Sequence, residues 1–226
     1  MKTPVDRSGN RARLLQMKIF AFVCLAMCFG GLVGAEMDKP ENYSPELKKR
    51  AEAGDASAQY HLAYCYMHGL GIGKNAKEGF FWAQKSAQQG NASGQKAMGY
   101  CYAEGNGAER DFGKAFEFFQ RSAEQGDPVS QMNLAGLYNS GLGVPMNKAK
   151  AFEFYQKAAE QGNLESQVYL GICFFNGIGV EKNEEEAFRW VKKAAGQGYE
   201  KAKQTLDQMN GEMAARRIQG QVPTKP

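Results

Sequence analysis

Two histidines and five cysteines are the side chains of this chain best suited to metal binding or nucleophilic chemistry. His61 and Cys65 stand four residues apart, a spacing that puts two ligands on one face of a helix. A closed metal site needs four ligands, and neither a CxxC nor an HExxH pattern accompanies the pair. Only His61 and His68 could act as imidazole bases, and neither lies in a recognisable nucleophile context. Cys65, Cys101 and Cys173 share one register, in which Leu137 takes the remaining place. A position that accepts leucine is an apolar slot, so these cysteines read as buried free thiols. Glycine pairs such as Gly141-Leu142-Gly143 could pass for a phosphate loop, but they recur throughout and follow helical rather than strand patterns. The chain is thus expected to have no catalytic residues, no metal site and no cofactor, and the elements around these residues carry the information instead.

The formal charge of +4 suggests a nucleic-acid partner until its distribution is considered. Residues 1–35 hold five of the 28 basic residues and one of the 24 acidic ones, leaving 23 of each. A neutral, mixed surface lacks the electrostatic footprint of phosphate binding, so no nucleic-acid partner is expected. The same 35 residues have the three parts of a signal peptide: basic Arg7, Arg11, Arg13 and Lys18, an apolar run from Ile19 to Val33, and the small-residue exit Val33-Gly34-Ala35. A start at Met17 would leave Lys18 as the whole basic region. The alternative is an uncleaved membrane anchor, since Ile19 to Ala35 just reaches the lower length of a transmembrane helix. Met27 is too large for a lipoprotein box at Cys28. No later stretch approaches a membrane span, which predicts an exported protein of a bacterial periplasm or the cell exterior.

Glycine recurs at Gly54, Gly90, Gly126, Gly162 and Gly198, always 36 residues apart, so the chain can be aligned against itself. Leu62, Met98, Leu134 and Leu170 fall in one column; Tyr66, Tyr102, Tyr138 and Phe174 fall in another. Gly79, Ala115, Ala151 and Ala187 share a third, followed three residues later by Trp82, Phe118, Phe154 and Trp190. Apolar spacings of three and four predict two amphipathic helices per unit, each of about fourteen residues. Gly69, Gly105, Gly141 and Gly177 suit the left-handed residue that ends the first helix. Asn75, Asp111, Asn147 and Asn183 begin the second, and Asp55, Asn91, Asp127 and Asn163 begin the first. Equivalent positions of stacked helices lie about 8–10 Å apart, too far for the cysteines to pair within the chain.

The run Ala159 to Val180, followed by Glu186 to Ala195, resembles the Sel-1-like repeat, a relative of the tetratricopeptide repeat, and the likeness recurs over about residues 45–206. It implies an all-α, right-handed superhelical solenoid of antiparallel helix pairs that serves as a scaffold or adaptor. Ala108 replaces the usual valine after the glycine pair, and Glu78 and Glu186 stand where lysine is usual. Cysteine-rich secreted relatives bridge the two helices of a unit; the second cysteine is lacking here, so β-lactam binding attributed to such bridges does not transfer. The expected organisation is a signal peptide 1–35, a linker 36–44, a half-unit helix 45–54, units 55–90, 91–126, 127–162 and 163–198, a capping helix 199–212, and a flexible tail 213–226.

Columns that vary between units are not needed to build the stack, which nominates Tyr60, Lys96, Met132 and Val168; Tyr64, Tyr100, Gly136 and Ile172; Met67, Ala103, Asn139 and Phe175; and His68, Glu104, Ser140 and Asn176. These columns resemble those lining the concave face of tetratricopeptide relatives, which grip extended peptides. The competing reading is that Tyr64, Tyr100 and Ile172 merely pack against a neighbouring helix. The expected function is an exported scaffold that binds a protein or peptide in its groove; the alternative is an envelope hydrolase or β-lactam-binding protein.

Overall fold

The structure is a computed structural model that describes residues 41–218. The expected signal peptide, residues 36–40 of the linker and residues 219–226 of the tail lie outside that range. Ten helices and no strand occur among the described residues: α1 (Pro45–Glu52), α2 (Ala56–His68), α3 (Ala76–Gln88), α4 (Ala92–Glu104), α5 (Phe112–Glu124), α6 (Pro128–Ser140), α7 (Lys148–Glu160), α8 (Leu164–Asn176), α9 (Glu184–Gly196) and α10 (Glu200–Ile218). Helices α2 to α9 form four pairs of 13-residue helices.

The caps explain why the helices share a length. Asp55, Asn91, Asp127 and Asn163 accept amide hydrogens at the start of each first helix. Asn75, Asp111, Asn147 and Asn183 do the same for each second helix. Each satisfies a donor that the helix itself leaves free. First helices stop at Gly69, Gly105, Gly141 and Gly177, all with φ between 68° and 74°. The next glycine of each turn has a different task. A Cβ on Gly107, Gly143 or Gly179 would run into the first-turn carbonyl of the preceding unit's second helix, at Ala76, Phe112 and Lys148 respectively. Backbone therefore meets backbone at every joint between units.

Between the joints runs a continuous apolar seam. Leu62, Met98, Leu134 and Leu170 are no more than 1% exposed, and Ala115, Ala151 and Ala187 are fully buried. Gly79 completes the alanine column because Met67 from the facing helix fills its place, with Cγ only 2.6 Å from where a Cβ would stand. Rings continue the contact from unit to unit: Phe80 meets Tyr102 edge-on, Phe116 meets Tyr138 and Phe152 meets Phe174. No unit could bury these surfaces alone, so stability accrues by neighbour contacts.

Both ends add contacts beyond the repeated units. Residues 41–44 of the expected linker are hydrogen-bonded to the first unit: Tyr43 N–H donates to the Leu70 carbonyl at 3.2 Å, and the Cys65 thiol donates to the Glu41 carbonyl at 3.1 Å. They stand in for the missing first turn of a second helix. At the other end α10 runs to Ile218, six residues beyond the expected stop at 212 and into the expected tail. Met213 occupies the column in which internal units have their stop glycine, so nothing turns the chain there. Met209, 3% exposed, and Met213 pack the extension onto the last unit.

Candidate binding surface

Each first helix presents its variable columns differently once its second helix is in place. Tyr60, Met67, Val168 and Phe175 are buried, at 7%, 7%, 7% and 2% exposure, and are not available surface. The column of Met67, Ala103, Asn139 and Phe175 faces the unit's own second helix: Met67 fills the space at Gly79, and Phe175 meets Phe188 edge-on. That packing removes Met67 and Phe175 from the expected groove. Tyr64, Tyr100, Gly136 and Ile172 remain half-exposed in one column, beside half-exposed Lys96, Met132 and Asn139 and exposed His68 and Glu104.

Neighbouring side chains pack against and hydrogen-bond to the residues of the strip. Along α2 the rings of Tyr60, Tyr64 and His68 form a ladder, with centroids 6.4 and 4.1 Å apart. Partial desolvation of the His68 imidazole, and then the positive charge of Lys74, lower its pKa from the ordinary histidine value. Asn133 Nδ2 donates to the Tyr100 hydroxyl at 3.0 Å, and Phe119 meets the same ring edge-on at 5.2 Å. Lys96 bridges to Asp127 at 2.8 Å, tying α4 to the start of α6. The glycine at 136 leaves a notch in the column between Tyr100 and Ile172. The arrangement offers aromatic surface, a few polar groups and pre-ordered side chains, which lowers the ordering cost of binding.

The chemistry-bearing residues take structural places. His61, 6% exposed, accepts the Glu41 backbone N–H at 3.4 Å. Cys65, Cys101 and Cys173 are buried thiols, and burial pushes the Cys101 thiol up to about 12. Among the described residues no group of three or more His, Cys, Asp or Glu is placed to hold a metal.

A second set of columns, which sequence variation does not nominate, pairs side-chain amides between the two helices of each unit. Gln89, Gln125, Gln161 and Gln197 donate from the end of each second helix to the side-chain carbonyls of Gln59, Gln95, Gln131 and Gln167, at 2.8, 2.7, 2.8 and 3.4 Å. Gln59 and Gln167 donate onward to the carbonyls of Ala51 and Ala159 in the preceding unit. The signal was their strict 36-residue recurrence, obscured because glutamine is common on exposed helix faces.

Two adjacent polar atoms among the described residues are buried without a hydrogen bond, Glu165 Oε1 and Ser166 Oγ, and the first belongs to an ionisable group. For Glu165 Oε1 the nearest cation, Lys201 Nζ, lies 3.8 Å away. Burial raises its pKa, opposed by Lys201. The native state therefore binds a proton more readily than the unfolded chain, so this site's contribution is favourable below the unfolded carboxyl range and is lost as pH rises through the folded pKa. Glu165→Gln is expected to melt about 2–4 °C above the parent at pH 7, with the difference vanishing near pH 4. Thermal melts across that range would refute this if the gap were independent of pH.

Stacked, capped helix pairs joined backbone to backbone define an α-solenoid, a class whose extended side surfaces bind other molecules. The Sel1 repeat family model matches residues 56–91, 92–127, 128–163 and 164–199, and the chain belongs to this family. Sel1 repeats mediate protein–protein interaction. The chain is similar to c5321, a protective antigen present in uropathogenic Escherichia coli strains and displaying an SLR fold, with 34% identity and a TM-score of 0.66 over 70% of this chain and 34% of that one. It is also similar to a Sel1 repeat protein from Oxalobacter formigenes, with 33% identity and a TM-score of 0.66 over 69% of this chain and 62% of that one. The chain thus spans less than two thirds of either structure. No curated protein matches it.

Proposed function

We propose that this protein is an exported scaffold that captures a protein or peptide partner on the first-helix strip running from Tyr64 and Tyr100 across Gly136 to Ile172. The observation that carries the proposal is the persistence of this column as half-exposed, largely apolar surface while Met67, Ala103 and Phe175 of the neighbouring column are buried. Aromatic anchors held by their own neighbours are the usual centres of binding energy. Export is supported by the tripartite pattern of residues 1–35. No helix among the described residues is long and apolar enough to cross a membrane. Of the bases and thiols open to the hydrolase alternative, His61, Cys65, Cys101 and Cys173 are buried and His68 is exposed.

Capture from envelope extract tests the proposal. Because Tyr60 is core, the informative variant is Tyr64→Ala combined with Met132→Ala, which trims exposed contacts without opening the seam. Partner capture is expected to fall about tenfold or more while the melting temperature changes little. Undiminished capture would move the binding site elsewhere, and turnover of a cell-wall or β-lactam substrate would replace the scaffold reading with the enzymatic one.

A further inference from the structure

The end of α10 differs from every internal joint. Counting on by one repeat, Ala215 and Arg216 fall where Gly179 and Val180 stand, and the start of the preceding second helix is Glu184 where it is Lys148 within the stack. Internal joints at this place are backbone seated on backbone, as at Gly179 on Lys148. Here the contact is a side-chain ion pair: Arg216 reaches Glu184 at 3.2 Å and Glu212 at 3.7 Å, with its guanidinium 4.9 Å above the Phe175 ring. The side chains of Arg216 and Glu184 are 24% and 35% exposed, so water and salt reach the pair. An ion pair of this kind is weak and screened by salt, whereas a glycine joint is neither. Met209 and Met213 add apolar contact, but flexible methionines specify a fit loosely.

We propose that the segment of α10 from Met209 to Arg216 forms a salt-sensitive latch that opens while the stack stays folded, baring the face of the Phe175 ring that Arg216 covers, beside Ile172 at the end of the strip. The latch exists independently of any partner, and only its use in lengthening the binding surface rests on the scaffold function. In a one-dimensional stack the terminal element opens at lower cost than the interior, so a local transition is physically available.

Amide hydrogen exchange on the full chain tests this without a partner. In the parent, exchange across 209–216 should quicken about twofold to fivefold between low and high salt, while α4, α6 and α8 keep their protection. Arg216→Ala should show the faster exchange already at low salt and lose the salt response, and Arg216→Lys should restore the response in part. Salt-independent exchange in the parent would overturn the latch. So would an Arg216→Ala variant in which α4 and α10 exchange faster by the same factor, since that describes global unfolding.

Discussion

Gly143→Ala is expected to cost about 3 kcal/mol or more of unfolding free energy, a loss in the severe tail for a single methyl group. Two penalties combine. Its φ of +71° lies in the left-handed region, where a side chain costs roughly 1–2 kcal/mol. The new methyl would also meet the carbonyl of Phe112 and the amide of Gly113, which are backbone at the start of α5 and cannot rotate away. Separation of the second and third units is the only relief. Gly162→Ala supplies the control: its φ is +90°, but no atom lies within 4 Å of the added carbon. It should carry the conformational penalty alone, about 1–2 kcal/mol. Chemical denaturation of both variants decides the matter. Equal losses would mean that the close approach between units contributes nothing.

Leu134→Ala should destabilise by about 2–5 kcal/mol. Leu134 is 1% exposed in the third unit, in a cluster with Phe119, Leu137 and Ala115, so its removal leaves a cavity that 13-residue capped helices have little freedom to collapse. Leu206, the same column in α10, is only partly buried, and Leu206→Ala should cost distinctly less. The contrast separates seam packing from helix propensity, because both changes put alanine into a helix, where it is the best former. A melting temperature unchanged in Leu134→Ala would contradict a shared seam. A two-step transition would indicate that the halves on either side uncouple, as stability summed over neighbours permits.

Much of this was written in the linear chain. The 36-residue recurrence set the unit, the glycine and Asn or Asp columns set where helices stop and start, and the leucine column set the buried stripe, because each demand is local and repeats four times. Which variable columns face water was not so written. Variation reads as exposure only if a buried slot demands one residue type, and here it does not: Met67 is accommodated by Gly79, and Gly99 and Gly171 make room for Phe119 and Val191. Sizes trade across a helix pair, so Met67, Ala103 and Phe175 differ and are all buried. Tertiary packing alone separated that column from the Tyr64 column, because exposure depends on where the second helix lies. It also decided the two ends: residues 41–44 replace an absent helical turn, and α10 runs on because Met213 supplies no left-handed stop and its side chain finds apolar surface on the last unit.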